Sequence, residues 1–223
     1  MTATPSPHLP ESEVAHRRRT AAVAGHRGDH ETARELLHDV DDSVRSTALG
    51  ALNRCHHLTG VDLDKALDDP SPLVRSRAAE LVAELGGAGV AADVGLVRLL
   101  KDPDPTVVEV VAWALGELHD PEPGSVSALA DLARHAEDAL VRESAVAALG
   151  SIGDPAGLQA ILAATTDKAT VRRRAVIALA PFEGDEVDAA LHRALQDRDW
   201  QVRQAAEDLL TPPPDHEHHG EAP

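Results

Sequence analysis

The stretch 139–154 reads ALVRESAVAALGSIGD, and related stretches recur at 71–86, 105–120 and 169–184. Apolar residues of this stretch are separated by three or four positions: Val141, Ala145, Ala148, Leu149 and Ile152. This spacing places them on one face of an α-helix. The same amphipathic helix is therefore written several times along the chain, which predicts a repeat architecture.

The repeat is anchored by a Val-Arg pair that is followed three residues later by alanine. The arginine position falls at 45, 75, 108, 142, 172 and 203, with valine at 108, so the spacing is 30 to 34 residues. A shorter apolar pattern lies between successive copies, and each repeat is predicted to be helix A, a turn and helix B. Residues 17–29 overlay 142–154, which predicts a lone B helix that caps the stack.

Thirteen helices are predicted in this way, one cap and six A/B pairs in a single repeat domain over 12–211. Residues 1–11 and 212–223 are polar and Pro-rich, and we expect both to be disordered tails. Aspartates directly before B helices are expected to cap their free backbone N–H groups; these are Asp41, Asp104, Asp138 and Asp199.

The Asp-x(5)-Arg spacing, with its arginine inside Val-Arg-x-x-Ala, resembles the HEAT-repeat pattern, in particular the short bacterial HEAT-like repeats also found in phycobilisome lyases. The resemblance covers about residues 14 to 210 and implies an all-α fold, a right-handed α-solenoid of stacked antiparallel helix pairs. It also implies a structural ladder of charged residues between successive repeats. Its members here are Asp39, Arg45, Asp69, Arg75, Arg142, Arg172, Asp197 and Arg203. Val108 stands at the arginine position, and Ala136 and Thr166 stand at the aspartate position. We therefore expect the ladder to be interrupted in the middle.

The same resemblance places the B helices on the concave surface of the solenoid. On the helix of 139–154 the outward positions are those of Glu143, Ser144 and Ala147. The corresponding residues of two other repeats are predicted to bind a partner; they are Glu109, Val110, Trp113, Arg173, Arg174 and Ile177. An exposed tryptophan beside a valine has the composition of an interface hot spot, although folding back over the neighbouring repeat would also account for it. Trp200, in the last B helix, is instead expected to close the core as a C-terminal cap.

Charge argues against nonspecific binding to nucleic acids or anionic membranes. Lys and Arg number 21 and Asp and Glu 38, so the net charge is −17. The predicted B helices hold 13 basic and 9 acidic residues, which makes them the least acidic part of the chain. DNA-binding HEAT-like glycosylases need a basic groove with aromatic side chains. This chain is acidic and has only two tryptophans, which argues against glycosylase activity.

No residue set indicates catalysis, a metal or a cofactor. The chain has no P-loop, G-x-S-x-G or G-x-G-x-x-G motif, and Cys55 aligns with a core position that predicts a buried, inert thiol. His-Glu pairs, which a HEAT-repeat di-iron hydroxylase family repeats at equivalent positions, occur only at 30–31 and 216–217. The histidines of the C-terminal tail, His216, His218 and His219, are the remaining metal candidates, with disorder as the simpler interpretation.

The composition favours a cytoplasmic protein, because a single cysteine suits a reducing compartment and we find neither a signal peptide nor a transmembrane run. The predicted function is non-catalytic: an interaction module, scaffold or adaptor that binds a helix or peptide of another protein in its concave groove. An accessory subunit of an enzyme is the first alternative. A DNA-binding repair protein is the second.

Overall fold

The computed structural model describes residues 11–86, 89–91 and 94–211. Its contacts divide the chain into two compact units, the first ending at Ala128 and the second beginning at Leu129. The boundary falls inside helix α7 (Ser125–His135). Both proposed tails lie almost wholly outside the described residues, so the domain limits at 12 and 211 stay a prediction. No described helix is long and apolar enough to cross a membrane.

The first unit is a series of B helices with shorter A elements packed beside them. Its helices are α1 (Glu11–Arg27), α2 (His30–Glu35), α3 (Asp42–Arg54), α4 (Gly60–Leu67), α5 (Pro72–Glu84) and α6 (Pro105–Glu117). Helix α1 packs on α3, α3 on α5 and α5 on α6, so the B helices follow one another. The A helices α2 and α4 lie against α3 and α5 respectively.

The second unit repeats the arrangement. It contains α8 (Ala139–Ile152), α9 (Leu158–Ala164), α10 (Ala169–Ala178), α11 (Asp185–Ala194) and α12 (Trp200–Leu210). The B helices α8, α10 and α12 pack in order, while α9 lies against α8 and α10, and α11 against α12 and α10. The fold is therefore all-α within the described residues, and each unit is built from stacked helix pairs, as the repeat predicts.

The sequence signals for helix starts are confirmed. Each of the four aspartates accepts a hydrogen bond from the backbone N–H two residues later, and these donors are Ser43, Thr106, Leu140 and Gln201. The carboxylate thereby satisfies one of the donors that have no partner within the helix. Local sequence alone therefore locates the beginning of most B helices.

The third repeat departs from the predicted pattern, and twelve α-helices are described rather than thirteen. Its A element is a 3₁₀ turn over Val97–Lys101. Gly95 precedes this turn closely, and Pro103 favours the extended conformation found at Asp102, with φ −59° and ψ 141°.

Small residues allow neighbouring B helices to approach closely. A Cβ atom placed on Gly150 of α8 would lie 2.7 Å from the Cα and Cβ atoms of Ala178 on α10. A Cβ on Gly25 of α1 would meet Ala51 of α3 at 2.8 to 2.9 Å. Backbone atoms cannot move aside as a flexible side chain does, so these two crossings require glycine.

Gly150→Ala is expected to destabilise the second unit by about 1–3 kcal/mol, as overpacking does in other cores. Helix propensity alone would make the alanine variant more stable by up to about 1 kcal/mol. The sign of the measured change in stability therefore distinguishes the effect of packing from that of propensity. Gly50→Ala in α3 is the matched control. Its new Cβ would meet only the mobile end of Arg77 at 3.4 Å, and we expect a small gain in stability. Urea unfolding followed by circular dichroism measures both; a stabilised Gly150→Ala variant would contradict the close crossing.

Candidate functional site

Arginines and aspartates connect successive repeats in both units. In each pair the arginine Nε and Nη2 donate to the two carboxylate oxygens of one aspartate, at 2.6 to 3.1 Å. The five pairs are Arg17–Asp39, Arg45–Asp69, Arg75–Asp102, Arg142–Asp167 and Arg172–Asp197. This fork-to-fork geometry is the strongest form of an ion pair, because two parallel charge-assisted hydrogen bonds set its orientation.

An arginine and the aspartate six positions before it in the same repeat make a different contact. The Nη1 atom of Arg45 donates to the backbone oxygen of Asp39, and Arg75 and Arg203 contact Asp69 and Asp197 likewise, at 2.8 to 2.9 Å. Each of these arginines therefore binds the carbonyl of its own repeat. The carboxylate of the aspartate is left for an arginine of the preceding repeat, which sequence spacing alone did not reveal.

The interruption expected in the middle of the ladder is found at Val108, and it does not extend to Arg142 and Arg172. Asp167, one residue beyond Thr166, supplies the carboxylate that Arg142 binds, and Arg172 binds Asp197. Val108 offers no guanidinium, so the arginine position is empty only there. Arg203 is the last arginine of the series, and no carboxylate of the described chain lies within ion-pair distance of it.

The paired aspartates have pKa values below their usual range. Hydrogen bonds from the arginine side chain are the main cause for Asp39, Asp167 and Asp197, with burial opposing them. Burial is the largest influence on Asp69 and Asp102 and raises their pKa, but hydrogen bonds from Arg45, Arg75 and backbone N–H groups, together with attraction to the arginine charges, outweigh it. All five carboxylates therefore stay charged in the folded protein at lower pH than in the unfolded chain.

Acid is expected to unfold the protein through these aspartates. A depressed folded pKa adds stability that is complete above the unfolded value of about 3.9 and is lost as pH falls through the folded pKa. The melting temperature should therefore be insensitive to these groups between pH 7 and 5 and fall steeply below about pH 4. Asp197→Asn should lower stability at pH 7 and weaken the acid dependence. A loss of stability already complete at pH 5 would contradict this assignment.

The first unit exposes part of the predicted partner-binding set. Trp113 of α6 is 40% exposed, and Glu109 and Val110 on the same helix are half-buried. Val111, Ala112, Ala114 and Leu115 of this helix are buried. Trp113 therefore belongs to the outward side of α6 and replaces a surface residue, although much of its ring is covered.

The second unit carries the other three members of that set on α10. Arg173 is exposed and Ile177 is 36% exposed. Arg174 lies 3.6 Å from a carboxylate oxygen of Glu143 on α8, which offsets part of its charge. No described carboxylate lies within ion-pair distance of Arg173. The six residues thus fall into two groups of three, one in each unit.

Trp200 is not the core cap that the sequence predicts, because 64% of its surface is exposed. The core position is taken by Val202, which is 1% exposed. Trp200 stands at the first position of α12 and lines a pocket of about 310 Å³ between α10 and α12. We call it the α10–α12 pocket; its lining residues are Arg173, Ile177, Trp200, Gln201, Gln204, Ala205, Asp208 and Leu209.

The pocket combines an apolar interior with a charged rim. Trp200, Ile177 and Leu209 are all exposed large apolar side chains. Asp208 accepts a hydrogen bond from Gln204 at 2.8 Å, and Arg173 supplies the one positive charge. Sequence reasoning found Arg173 and Ile177 but missed Trp200, since a tryptophan beside a core valine in the first turn of a helix suggested burial.

Catalytic and metal-binding candidates do not come together in the described chain. No group of three or more His, Cys, Asp or Glu side chains is placed there to hold a metal ion. Cys55 ends α3 and is only partly buried, with its Sγ 3.5 Å from the backbone oxygen of Gly25. The expectation of a fully buried thiol is therefore wrong. His216, His218 and His219 lie outside the described residues.

Stacked helix pairs joined by arginine–aspartate pairs define a repeat protein of the α-solenoid class. Models of HEAT repeats match residues 62–150, 93–180 and 126–211, which together span more than half of the sequence. The chain belongs to the HEAT repeat family. Its resemblance to HEAT repeats is thus confirmed over those residues, and such repeat solenoids support protein interaction in general.

Solved structures agree on the fold. An engineered protein shares 23% identity at a TM-score of 0.60, over 82% of this chain and 97% of that one. A designed armadillo repeat protein in complex with the peptide (KR)4 shares 19% identity at a TM-score of 0.61, over 81% and 97%. Computationally designed armadillo repeat proteins for modular peptide recognition share 20% identity at a TM-score of 0.56, over 87% of this chain and 97% of that one. No curated protein matches the sequence.

Proposed function

We propose that this protein is a non-catalytic adaptor that binds a helix or an extended peptide of another protein on the exposed faces of its B helices. The α10–α12 pocket is the observation that carries the proposal. It exposes 64% of Trp200 and 36% each of Ile177 and Leu209 next to one another. Exposed tryptophan surrounded by aliphatic side chains is the usual composition of an interface hot spot.

The rim of the pocket supports binding of a polypeptide rather than a purely apolar molecule. Arg173 can pair with a carboxylate of the partner and Asp208 with a cation. The side-chain amides of Gln201 and Gln204 can donate and accept hydrogen bonds with a peptide backbone. A partner would therefore insert one large apolar side chain beside Trp200 and keep polar groups over the rim.

Glu109, Val110 and Trp113 are proposed as a second contact region, within the first unit. The exposed part of the Trp113 ring and the half-buried Val110 provide apolar surface there. Each region lies within its own unit, so each can be tested by its own variant.

The partner is expected to carry basic residues around its apolar anchor. The chain has a net charge of −17, which attracts a basic polypeptide at long range. One similar solved structure is a designed armadillo repeat protein in complex with the peptide (KR)4. No cofactor is needed for this function, and the single cysteine suits a reducing, cytoplasmic setting.

Selection from a displayed peptide library on the full-length protein tests the proposal. Enriched peptides should share one large apolar residue with basic neighbours, and Trp200→Ala should weaken their binding by roughly 30-fold, as loss of a hot spot of about 2 kcal/mol does. Leu140→Ala is the matched control, since Leu140 is 55% exposed in the same unit but outside the pocket. Trp113→Ala tests the second region in the same assay.

Trp200 itself provides a direct signal for binding. In a Trp113→Phe background it is the only tryptophan, and burial by a peptide should shift its emission to shorter wavelength. Peptides that bind Trp200→Ala and wild type equally would reject the pocket as the binding site. Enrichment of no peptide, together with salt-sensitive retention on duplex DNA, would favour the DNA-binding alternative instead.

A further inference from the structure

A second cavity, of about 390 Å³, lies in the first unit between the A elements of two successive repeats. Its walls come from α2 and the 3₁₀ turn Leu36–His38 on one side and from α4 on the other, with α3 and the start of α5 beneath. We call it the α2–α4 cavity. It shares no residue with the α10–α12 pocket, and its volume lies within the range of small-molecule sites, about 300–1,000 Å³.

The floor of the α2–α4 cavity is apolar and lies beneath a lining of charged and polar side chains. Four aliphatic side chains line it, those of Leu37, Leu49, Ala66 and Val74. Leu49 and Val74 are 1% and 2% exposed, so they belong to the rigid core of the unit. A molecule that fills this space therefore covers apolar surface on its inner side.

The two carboxylates of the cavity are already occupied. Asp62 accepts from Arg34 Nη1 at 2.9 and 3.0 Å and from the backbone N and Oγ1 of Thr59 at 3.0 and 2.7 Å. Asp69 accepts from Arg45 Nε and Nη2 at 2.9 and 2.7 Å and from the backbone N of Ser71 at 2.8 Å. A carboxylate has about four acceptor sites, so little capacity remains for a ligand cation.

The positive charges of the cavity are not balanced in the same way. Arg34 and Arg45 pair with the two aspartates, and their remaining Nη groups donate to backbone oxygens of His57 and Asp39 at 2.7 and 2.9 Å. Lys65 also lines the cavity and is exposed, and no carboxylate among the described residues lies within ion-pair distance of it. His38 stands beside the same opening as a further hydrogen-bond donor. The lining thus carries three basic side chains, those of Arg34, Arg45 and Lys65, and two carboxylates. The ammonium group of Lys65 is the charge that these carboxylates do not balance.

We propose that the α2–α4 cavity binds a small molecule that has an aliphatic body and one carboxylate, with the carboxylate at Lys65. The aliphatic body covers Leu37, Ala66 and the core side chains beneath them. The carboxylate meets the ammonium of Lys65 and the imidazole of His38 at the opening. A cationic molecule is disfavoured, because the carboxylate acceptors are already engaged.

Titration calorimetry of the full-length protein with hexanoate, octanoate and decanoate, each below its micelle concentration, tests the class of ligand. Each added methylene is expected to tighten binding about fourfold until the cavity is full. Octanol, which has the same body but no charge, should bind about tenfold more weakly than octanoate. Absence of saturable octanoate binding, or equal affinity for octanol, would overturn the proposal.

Variants assign the binding to this cavity. Lys65→Gln should weaken octanoate about tenfold and remove most of the difference between octanoate and octanol. Lys65 is exposed, so the variant is expected to fold normally. Lys101→Gln is the matched control, because Lys101 is exposed and does not line the cavity. Trp200→Ala should leave octanoate affinity unchanged. Octanoate binding that is lost with Trp200 and kept without Lys65 would place the ligand in the other pocket and overturn the proposal.

Discussion

Leu149→Ala is expected to lower the free energy of unfolding of the second unit by roughly 2–5 kcal/mol, the range for large-to-small changes in close-packed cores. Leu149 is 1% exposed and lies in the third turn of α8. One of its Cδ atoms would be 3.0 Å from a Cβ placed on Gly157, so the side chain is held tightly against the turn before α9. The cavity left by alanine cannot close easily, because that turn is already at contact distance.

The loss can be measured by urea unfolding in a Trp113→Phe background, in which fluorescence reports on Trp200 and hence on the second unit. Unit-specific detection matters because repeat chains do not always unfold in a single step. Leu140→Ala in the same helix is the control; Leu140 is 55% exposed and should change stability by less than about 0.5 kcal/mol. Equal effects of the two substitutions would mean that Leu149 does not belong to the core.

Arg75→Ala is expected to destabilise the first unit by about 3 kcal/mol, the lower end of the range for breaking a buried ion pair. The arginine side chain is 12% exposed and that of its partner Asp102 is 6% exposed. Alanine leaves the Asp102 charge without its two side-chain donors, at 2.7 and 2.8 Å, and with only the backbone N–H of Asp104 at 2.9 Å; the carbonyl of Asp69 also loses its donor at 2.8 Å. The cost comes mainly from the unpaired carboxylate rather than from the net strength of the pair.

Arg98→Ala is the matched control for Arg75→Ala. Arg98 pairs with Asp68, but the two side chains are 50% and 67% exposed, and surface pairs contribute about 0–1 kcal/mol. Arg75→Lys should recover only part of the loss, since an ammonium cannot bind both carboxylate oxygens in the arginine geometry. Circular dichroism during urea unfolding measures all three variants. An Arg75→Ala variant no less stable than Arg98→Ala would show that the pair does not hold the repeats together.

Much of the fold follows from local patterns. The three-to-four residue spacing of Val141, Ala145 and Leu149 predicts their common burial, and aspartates such as Asp138 predict where B helices begin. These features depend on residues within one or two turns, so a single sequence contains them. The third A element was predicted as an α-helix because its apolar spacing resembles one, whereas the structure has a 3₁₀ turn there.

The candidate site was predicted less completely, because its residues come from different repeats. Outward positions on α6 and α10 follow from the helical period, so Trp113 and Ile177 were found. Trp200 was missed, since its exposure depends on how α12 packs against α10. No sequence pattern pointed to the α2–α4 cavity, whose lining spans residues 34–74.

Short-range patterns in the sequence establish that this protein is a stack of helix pairs, where most of its B helices start and which faces of these helices are apolar. Tertiary packing alone establishes that five arginines of the series, but not Arg203, each bind an aspartate 22 to 27 residues further along, and that Lys65 has no carboxylate partner in the described chain. Helical periodicity and capping are short-range properties of a chain. Pairing of charges and exposure of a ring depend on which distant groups packing brings within a few ångströms.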